Sequence, residues 1–410
     1  MESDGKGGYV FTLYALREQA SYYVSSGRLK SREHRIDVVD LPQIESLRLT
    51  YEYPKWTGLK QRVQESGGDI RAVEGTRVNL EVVTNTPMES PLLVVNGNGD
   101  GMQQRGVSAT GSLTVSEPGH YRIATRFGDE IVALTEDFVV DLVPDEKPNV
   151  EIVKPGRDYQ ATNIEEVPVN VKAQDDFRLE GLELRYSVNG GEWRSEKLDA
   201  GATDIQAAAL LRLEEMQQAG KDGSGALLVP GDLVSYYAVA RDRRHSVQTD
   251  LFLIQVQPFD RRFTQGQGGG GGAGGGGGDD EGQISQRQRE VLLATWNLQR
   301  AGDGGDEREK ERRADSARML AEVQNTLADQ ANTLVERARA RLLTGADENI
   351  KAFVDSLAEA VKAMRPAAQR LTERDLEQAV AYEQRALQHL LRAESTFRDI
   401  QVAQQRGGGG

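Results

Sequence analysis

The tripeptide Ser-Tyr-Tyr occurs twice, at Ser21–Tyr23 and Ser235–Tyr237, 214 positions apart and in matching settings. Each copy is followed by a polar turn, a second strand-like run and a proline, Val38-Val-Asp-Leu-Pro42 in one case and Gln255-Val-Gln-Pro258 in the other. A repeated strand–turn–strand–proline unit means repeated domains, and repeats constrain the architecture more than any local propensity. Only about 40 residues precede the first exit, too few for a sandwich of roughly 100 residues. The expectation is that residues 1–42 are the C-terminal strands of a truncated sandwich.

Residues 43–146 show short alternating runs separated by turn clusters at about ten-residue spacing, the pattern of an all-β sandwich. Pro118-Gly-His-Tyr121-Arg-Ile123 resembles the tyrosine corner of immunoglobulin-like domains, with Tyr121 two positions before Ile123. Residues 147–263 repeat the plan, and Pro230-Gly231 ahead of Tyr237 suggests the same closing device; Tyr23 would be its counterpart in the first repeat. Asn189-Gly190 marks a tight hairpin. Asp204–Gln218 is rich in Ala, Leu, Glu and Gln, so a strand followed by a short helical insertion is expected there.

A glycine tract, Gly268–Gly278 broken only by Ala273, then interrupts the chain. Glycine buries no apolar area to offset its ordering entropy, so residues 264–283 read as a flexible linker. Beyond it, residues 284–406 carry helical periodicity. Ser285 with Gln288 has the form of a capping box, opening a helix to about Leu298. Further helices are expected over about 306–343, 346–364 and 374–404, with Pro366 ending or kinking the third. Residues 407–410 form a glycine tail. The fold class expected is multidomain, β then α: tandem Ig-like antiparallel sandwiches, a Gly-rich linker and a helical bundle or hairpin region.

Charge and composition exclude several functions. Residues 1–278 hold 30 basic and 41 acidic groups, net −11; residues 279–410 hold 20 and 23, net −3. A chain without a basic stripe is not built for nucleic acid. The absence of cysteine removes disulfides, thiolate metal sites and a cysteine nucleophile. No run of 18 apolar residues is present. No nucleophile elbow and no phosphate loop occurs.

Candidate sites are few. Asn96, Asn98 and Asp100 match the front half of a calcium loop, but its twelfth position is Val107 where a bidentate Glu is needed; a hairpin turn explains the same residues. Asp175-Asp176-Phe177 follows a strand and offers carboxylates to a cation, or else an Asx turn with Phe177 in the core. His34, His120, His245 and His389 are dispersed, which argues against zinc. Trp56, Trp193 and Trp296 are either core residues or sugar-stacking platforms.

Several segments together resemble a known family: Ser21–Val24, Val38–Pro42, Leu47–Leu59, Gly67–Ile70, Glu74–Val78, Gln174–Phe177, Gly231–Ala238, Pro258–Phe263 and Ser285–Leu298. The chain is similar to large bacterial membrane-anchored envelope proteins of unknown function, with N-terminal transmembrane helices, tandem Ig-like domains and a helical C-terminal region. That family has no assigned activity, so the resemblance carries over no catalytic residue and no cofactor; the chain reads as a non-enzymatic scaffold, with the sandwiches as spacer and the helical region as partner-binding module. The resemblance also implies a location in the cell envelope, on the periplasmic or extracytoplasmic side of the membrane. Partners would be other envelope proteins held through residues 284–406, and the membrane would be reached only through an N-terminal segment absent from this chain. The alternative is a carbohydrate- or surface-binding adhesin using the sandwich loops.

Overall fold

A computed structural model describes residues 2–3, 9–13, 16–38, 40–128, 130–218, 226–258, 278–302, 306–342 and 348–407. They form two compact units, Met1–Pro144 and Asp145–Gly410. The glycine tract lies almost wholly outside the described residues, as does the 408–410 end of the tail.

In the first unit, Ala20–Tyr22 pairs antiparallel with His34–Ile36, so the first Ser-Tyr-Tyr copy does enter a strand–turn–strand hairpin. Its side chains face solvent: Tyr22 is 46% exposed and Tyr23 51%, with the Lys30 ammonium 3.6 Å from the Tyr23 ring centre. Tyr23 closes no core here.

The first sandwich comprises β1 (Ile44–Glu52), β2 (Arg62–Gln64), β3 (Ile70–Val73), β4 (Arg77–Thr84), β5 (Pro91–Val95), β6 (Asn98–Gly101), β7 (Gln103–Arg105), β8 (Ser108–Thr114), β9 (Gly119–Phe127), β10 (Glu130–Ala133) and β11 (Phe138–Val143). One sheet runs β7-β8-β4-β1-β2 and the other β6-β5-β9-β11-β3, with β10 paired to β9. Inward positions alternate along β4, where Val78, Leu80 and Val82 are buried, against Leu49, Tyr51, Leu93 and Ile123 from neighbouring strands. Each such side chain contributes about 1.5–3 kcal/mol on burial. Tyr121 is 1% exposed and its hydroxyl donates to the Gly68 carbonyl at 2.5 Å. Gly68 has room for no side chain, because a Cβ there would meet the Phe138 ring at 2.3 Å. Asp69 accepts from the Val139 amide at 2.8 Å.

The second sandwich repeats this topology. Its strands are β12 (Asn149–Lys154), β13 (Tyr159–Thr162), β14 (Glu166–Gln174), β15 (Gly181–Val188), β16 (Arg194–Leu198), β17 (Asp204–Arg212), β18 (Leu233–Arg241), β19 (Ser246–Gln248) and β20 (Phe252–Gln257). The sheets are β12-β14-β17 and β13-β20-β18-β15-β16, with β19 on β18. In both sandwiches a short early strand pairs parallel with the last one, β3 with β11 and β13 with β20. The helix-prone Ala-Leu segment is the nine-residue strand β17, and only Leu213–Glu215 turns, as one 3-10 segment. Period-two burial of Ile205, Ala209, Leu211 and Leu213 outweighs a helix propensity of at most about 0.7 kcal/mol per residue.

Among the described residues four helices follow: α1 (Gly278–Arg300), α2 (Glu307–Leu342), α3 (Glu348–Glu373) and α4 (Leu376–Gly407). Two expectations need correction. Ser285 caps nothing, since α1 begins seven residues earlier; its hydroxyl bonds the Glu394 carboxylate on α4, and Gln288 exchanges amide bonds with Gln324 of α2 at 3.0 and 2.7 Å. Pro366 does not end α3. The helix continues to Glu373 because Ala367, Ala368 and Leu371 stay buried beyond the proline, which offsets the lost backbone bond. Arg374 then takes left-handed geometry, φ 63°, and the Asp375 amide returns to the Arg370 carbonyl at 2.9 Å, reversing the chain into α4.

Candidate functional site

Strand β18 reads Leu-Val-Ser-Tyr-Tyr-Ala-Val-Ala, apolar on both faces, and its first eight residues are all buried. One face, with Val234, Tyr236, Ala238 and Ala240, fills the sandwich core. The other presents Leu233, Tyr237 and Val239, joined by Leu251 and Leu253. A strand buried on both faces needs a layer over each sheet face, and here helices supply the second one. Leu292 and Trp296 of α1 and Val380, Leu387 and Leu391 of α4 cover it.

Trp296 is the centre of this junction. It is 3% exposed, its ring lies 4.5 Å from Tyr237 and 6.1 Å from Trp193, and its Nε1 donates to the Thr249 carbonyl at 3.2 Å. Such edge-on aromatic contacts add about 0.5–1.5 kcal/mol beyond area burial. Tyr237 is therefore buried, as expected, but against the helices and not as a corner of the sandwich interior. Tyr236 takes the interior place, and its hydroxyl, with no hydrogen-bond partner, is held well above the ordinary tyrosine range by burial.

Ion pairs ring the apolar centre. Arg392 of α4 meets Asp232, a fully buried carboxylate, at 2.6 Å, and Asp232 also accepts from the Asn189 amide at 3.1 Å and the Val229 N–H at 2.7 Å. Arg300 meets Asp250 at 2.7 Å, and Arg289 pairs with Asp158. The Asn189-Gly190 turn lies directly under α4: a Cβ on Gly190 would stand 2.3 Å from the Ala381 carbonyl. Likewise, a Cβ on Gly231 would stand 2.7 Å from the Arg392 Cα.

Behind Trp296 sits Glu383 of α4, fully buried, accepting from the Thr295 hydroxyl at 2.9 Å. Its second oxygen has no partner, and burial pushes its pKa up to about 8. A cleft of about 520 Å³ opens at the edge of the same junction, lined by Asp158, Arg289, Ser285, Glu394, Leu253 and Leu391 among others. Four leucines, the Arg289–Asp158 ion pair and the half-buried Glu394 carboxyl thus share one cleft. Burial raises the Glu394 carboxyl above the usual carboxylate range, and the Ser285 hydroxyl and the Arg398 charge work against that rise.

The remaining candidates fall elsewhere. Asn96, Asn98 and Asp100 occupy the β5–β6 hairpin. Asn96 has φ 47°, its Oδ1 accepts from the His120 amide at 3.0 Å, and its amide donates to Glu117 at 3.3 Å; Asn98 and Asp100 pair along β6. Trp56 is half-buried, and Trp193 packs edge-on to Tyr237 at 4.9 Å. His34 stacks on Tyr22. His245, read as isolated, is brought to Asp242 at 2.9 Å, with Asp145 close by. The Asp242-x-x-His245 spacing after a strand was the available signal. For the junction, the signal was the unbroken apolar run Leu233–Ala240.

No protein-family model matches the chain, and no curated protein does. Among solved structures it is similar to the fibronectin(III)-like modules of Clostridium thermocellum CbhA, at 13% identity over 46% of this chain and 90% of that one, with a TM-score of 0.18. It is similar to the I9–I11 tandem of titin at 12% identity, over 60% of this chain and 76% of that one, TM-score 0.22. A third is Rst D1-D2, at 13% identity over 46% of this chain and 95% of that one, TM-score 0.20. The strand order above carries the fold: tandem Ig-like sandwiches followed by four helices.

Proposed function

We propose that this protein is a non-enzymatic scaffold or interaction protein of the bacterial cell envelope. The sandwiches act as a spacer, and residues 284–406 bind a partner, another envelope protein. The observation that supports this most is the junction. Burying five apolar helix residues at about 1.5–3 kcal/mol each, with three ion pairs, holds the helices at a set orientation on the second sandwich. A partner-binding module so mounted is presented by a rigid arm. The envelope location and the partner class rest on the family resemblance.

The adhesin alternative keeps its sandwich loops but loses Trp193 and Trp296 as exposed platforms, because both pack into the junction. Pull-down from envelope extract with residues 145–410 as bait tests the proposal. Residues 283–406 alone would expose Leu292, Trp296, Val380, Leu387 and Leu391 and bind indiscriminately. An envelope protein retained by 145–410 and not by 1–144 supports the scaffold. Retention by residues 1–144 alone, or glycan binding by the loops, sinks it.

A further inference from the structure

Four carboxylates from three separate segments gather at one end of the second sandwich. Asp145 precedes β12, Asp175 and Asp176 follow β14, and Asp242 follows β18. Ligand atoms of Asp145, Asp242 and His245 all lie within 4.8 Å of one another. Such a gathering by itself is common on protein surfaces; burial distinguishes this one. The Asp145 side chain is 5% exposed, and both of its oxygens are buried with no hydrogen-bond partner. Both oxygens of Asp175 are buried as well, with the Asp176 carboxyl beside them. The Arg244 guanidinium stands 4.0 Å from Asp145 and is itself 45% exposed.

An unbonded buried carboxylate costs several kcal/mol unless it is neutralised or coordinates a metal. The other carboxylates are organised around the opening. Asp242 accepts the Arg244 and His245 amides at 2.6 and 2.5 Å and holds the His245 Nδ1 at 2.9 Å. Asp176 accepts the Glu146 amide at 3.3 Å. With Nδ1 engaged by Asp242, His245 keeps Nε2 as a single nitrogen ligand beside the oxygens of four carboxylates. Dominated by oxygen, anionic, drawn from loops and irregular in geometry, such a set suits calcium better than zinc or magnesium.

We propose that Asp145, Asp175, Asp176 and Asp242 form a calcium site, which ties the segment entering the second sandwich to the ends of β14 and β18. The full chain, stripped with chelator, is titrated with CaCl2 by calorimetry and its thermal midpoint followed. One equivalent should bind at the millimolar-to-micromolar level of calcium modules, raising the midpoint. Asp145→Asn and Asp175→Asn should each weaken binding more than about tenfold. Because each also removes like-charge repulsion, both should raise the midpoint of the calcium-free protein, an effect that misfolded variants cannot give. Asp100→Asn, in the β5–β6 hairpin, should leave the titration unchanged. The proposal is overturned if millimolar calcium produces neither heat nor a midpoint shift, if folded Asp145→Asn and Asp175→Asn bind as the parent does, or if zinc binds instead in a manner that His245→Ala abolishes.

Discussion

Trp296→Ala tests whether sandwich and helices are one cooperative body. The indole is 3% exposed, meets two aromatic rings and donates one hydrogen bond to the Thr249 carbonyl. Truncating a buried Trp costs about 3–5 kcal/mol, and the lost hydrogen bond adds about 1 kcal/mol. Against a domain stability of about 5–15 kcal/mol, a loss of about 4–6 kcal/mol is a large share. At roughly 2–4 °C per kcal/mol for a unit this large, the midpoint should fall by about 10 °C or more. The informative readout is which signals move. Helix content by circular dichroism and amide exchange in β18 should shift together, although Trp296 belongs to α1. Tyr237→Ala, on the sheet side, should reciprocally lower the helical midpoint. If Trp296→Ala melts the helices while β18 amides keep their protection, the helices are a separate module and the rigid-arm reasoning is wrong.

Three further perturbations probe individual contacts. Glu383 has a folded pKa near 8 against an ordinary 4.5, so the folded state holds a proton that the unfolded state releases. Stability should therefore be highest below about pH 4.5 on this account and fall as pH rises toward 8. Glu383→Gln should flatten that slope and gain ~3 kcal/mol at neutral pH in urea melts; an unchanged slope would refute the assignment. Tyr121→Phe leaves the Gly68 carbonyl unsatisfied and should cost the first sandwich about 1–3 kcal/mol, while Tyr121→Ala should cost about 3–5 kcal/mol; a Tyr121→Phe protein as stable as the parent in denaturant titration would show that the hydroxyl contributes nothing. Gly190→Ala drives a methyl against the Ala381 carbonyl and should cost about 1–3 kcal/mol, read by chemical unfolding of residues 145–410. A neutral result would mean that α4 does not approach this turn.

Much of the architecture is legible in near-neighbour pattern. Alternation along Val78-Asn-Leu-Glu-Val82 determines a half-buried strand, and the Pro-Gly turn before Tyr121 announces a corner, because both depend on residues a few positions apart. The stripe Phe353, Leu357, Ala360, Met364 likewise determines a buried helix face. What lies opposite those faces is not local. Tyr236 and Tyr237 are identical neighbours, yet one enters the sandwich core and the other meets Trp296, a choice made by the docking of α1 and α4. Ser285 satisfies a capping pattern, but its hydroxyl is claimed by Glu394, 109 positions away. Pro366 has the chemistry to end a helix, and only burial of Ala367, Ala368 and Leu371 carries α3 past it. Asp145, Asp175 and Asp242 are scattered along the chain and come together only when the sheet holding β12 and β14 packs against the sheet holding β18. Periodicity is written into adjacent residues by the geometry of one backbone; convergence depends on which surfaces exclude water together, and that is a property of the folded whole.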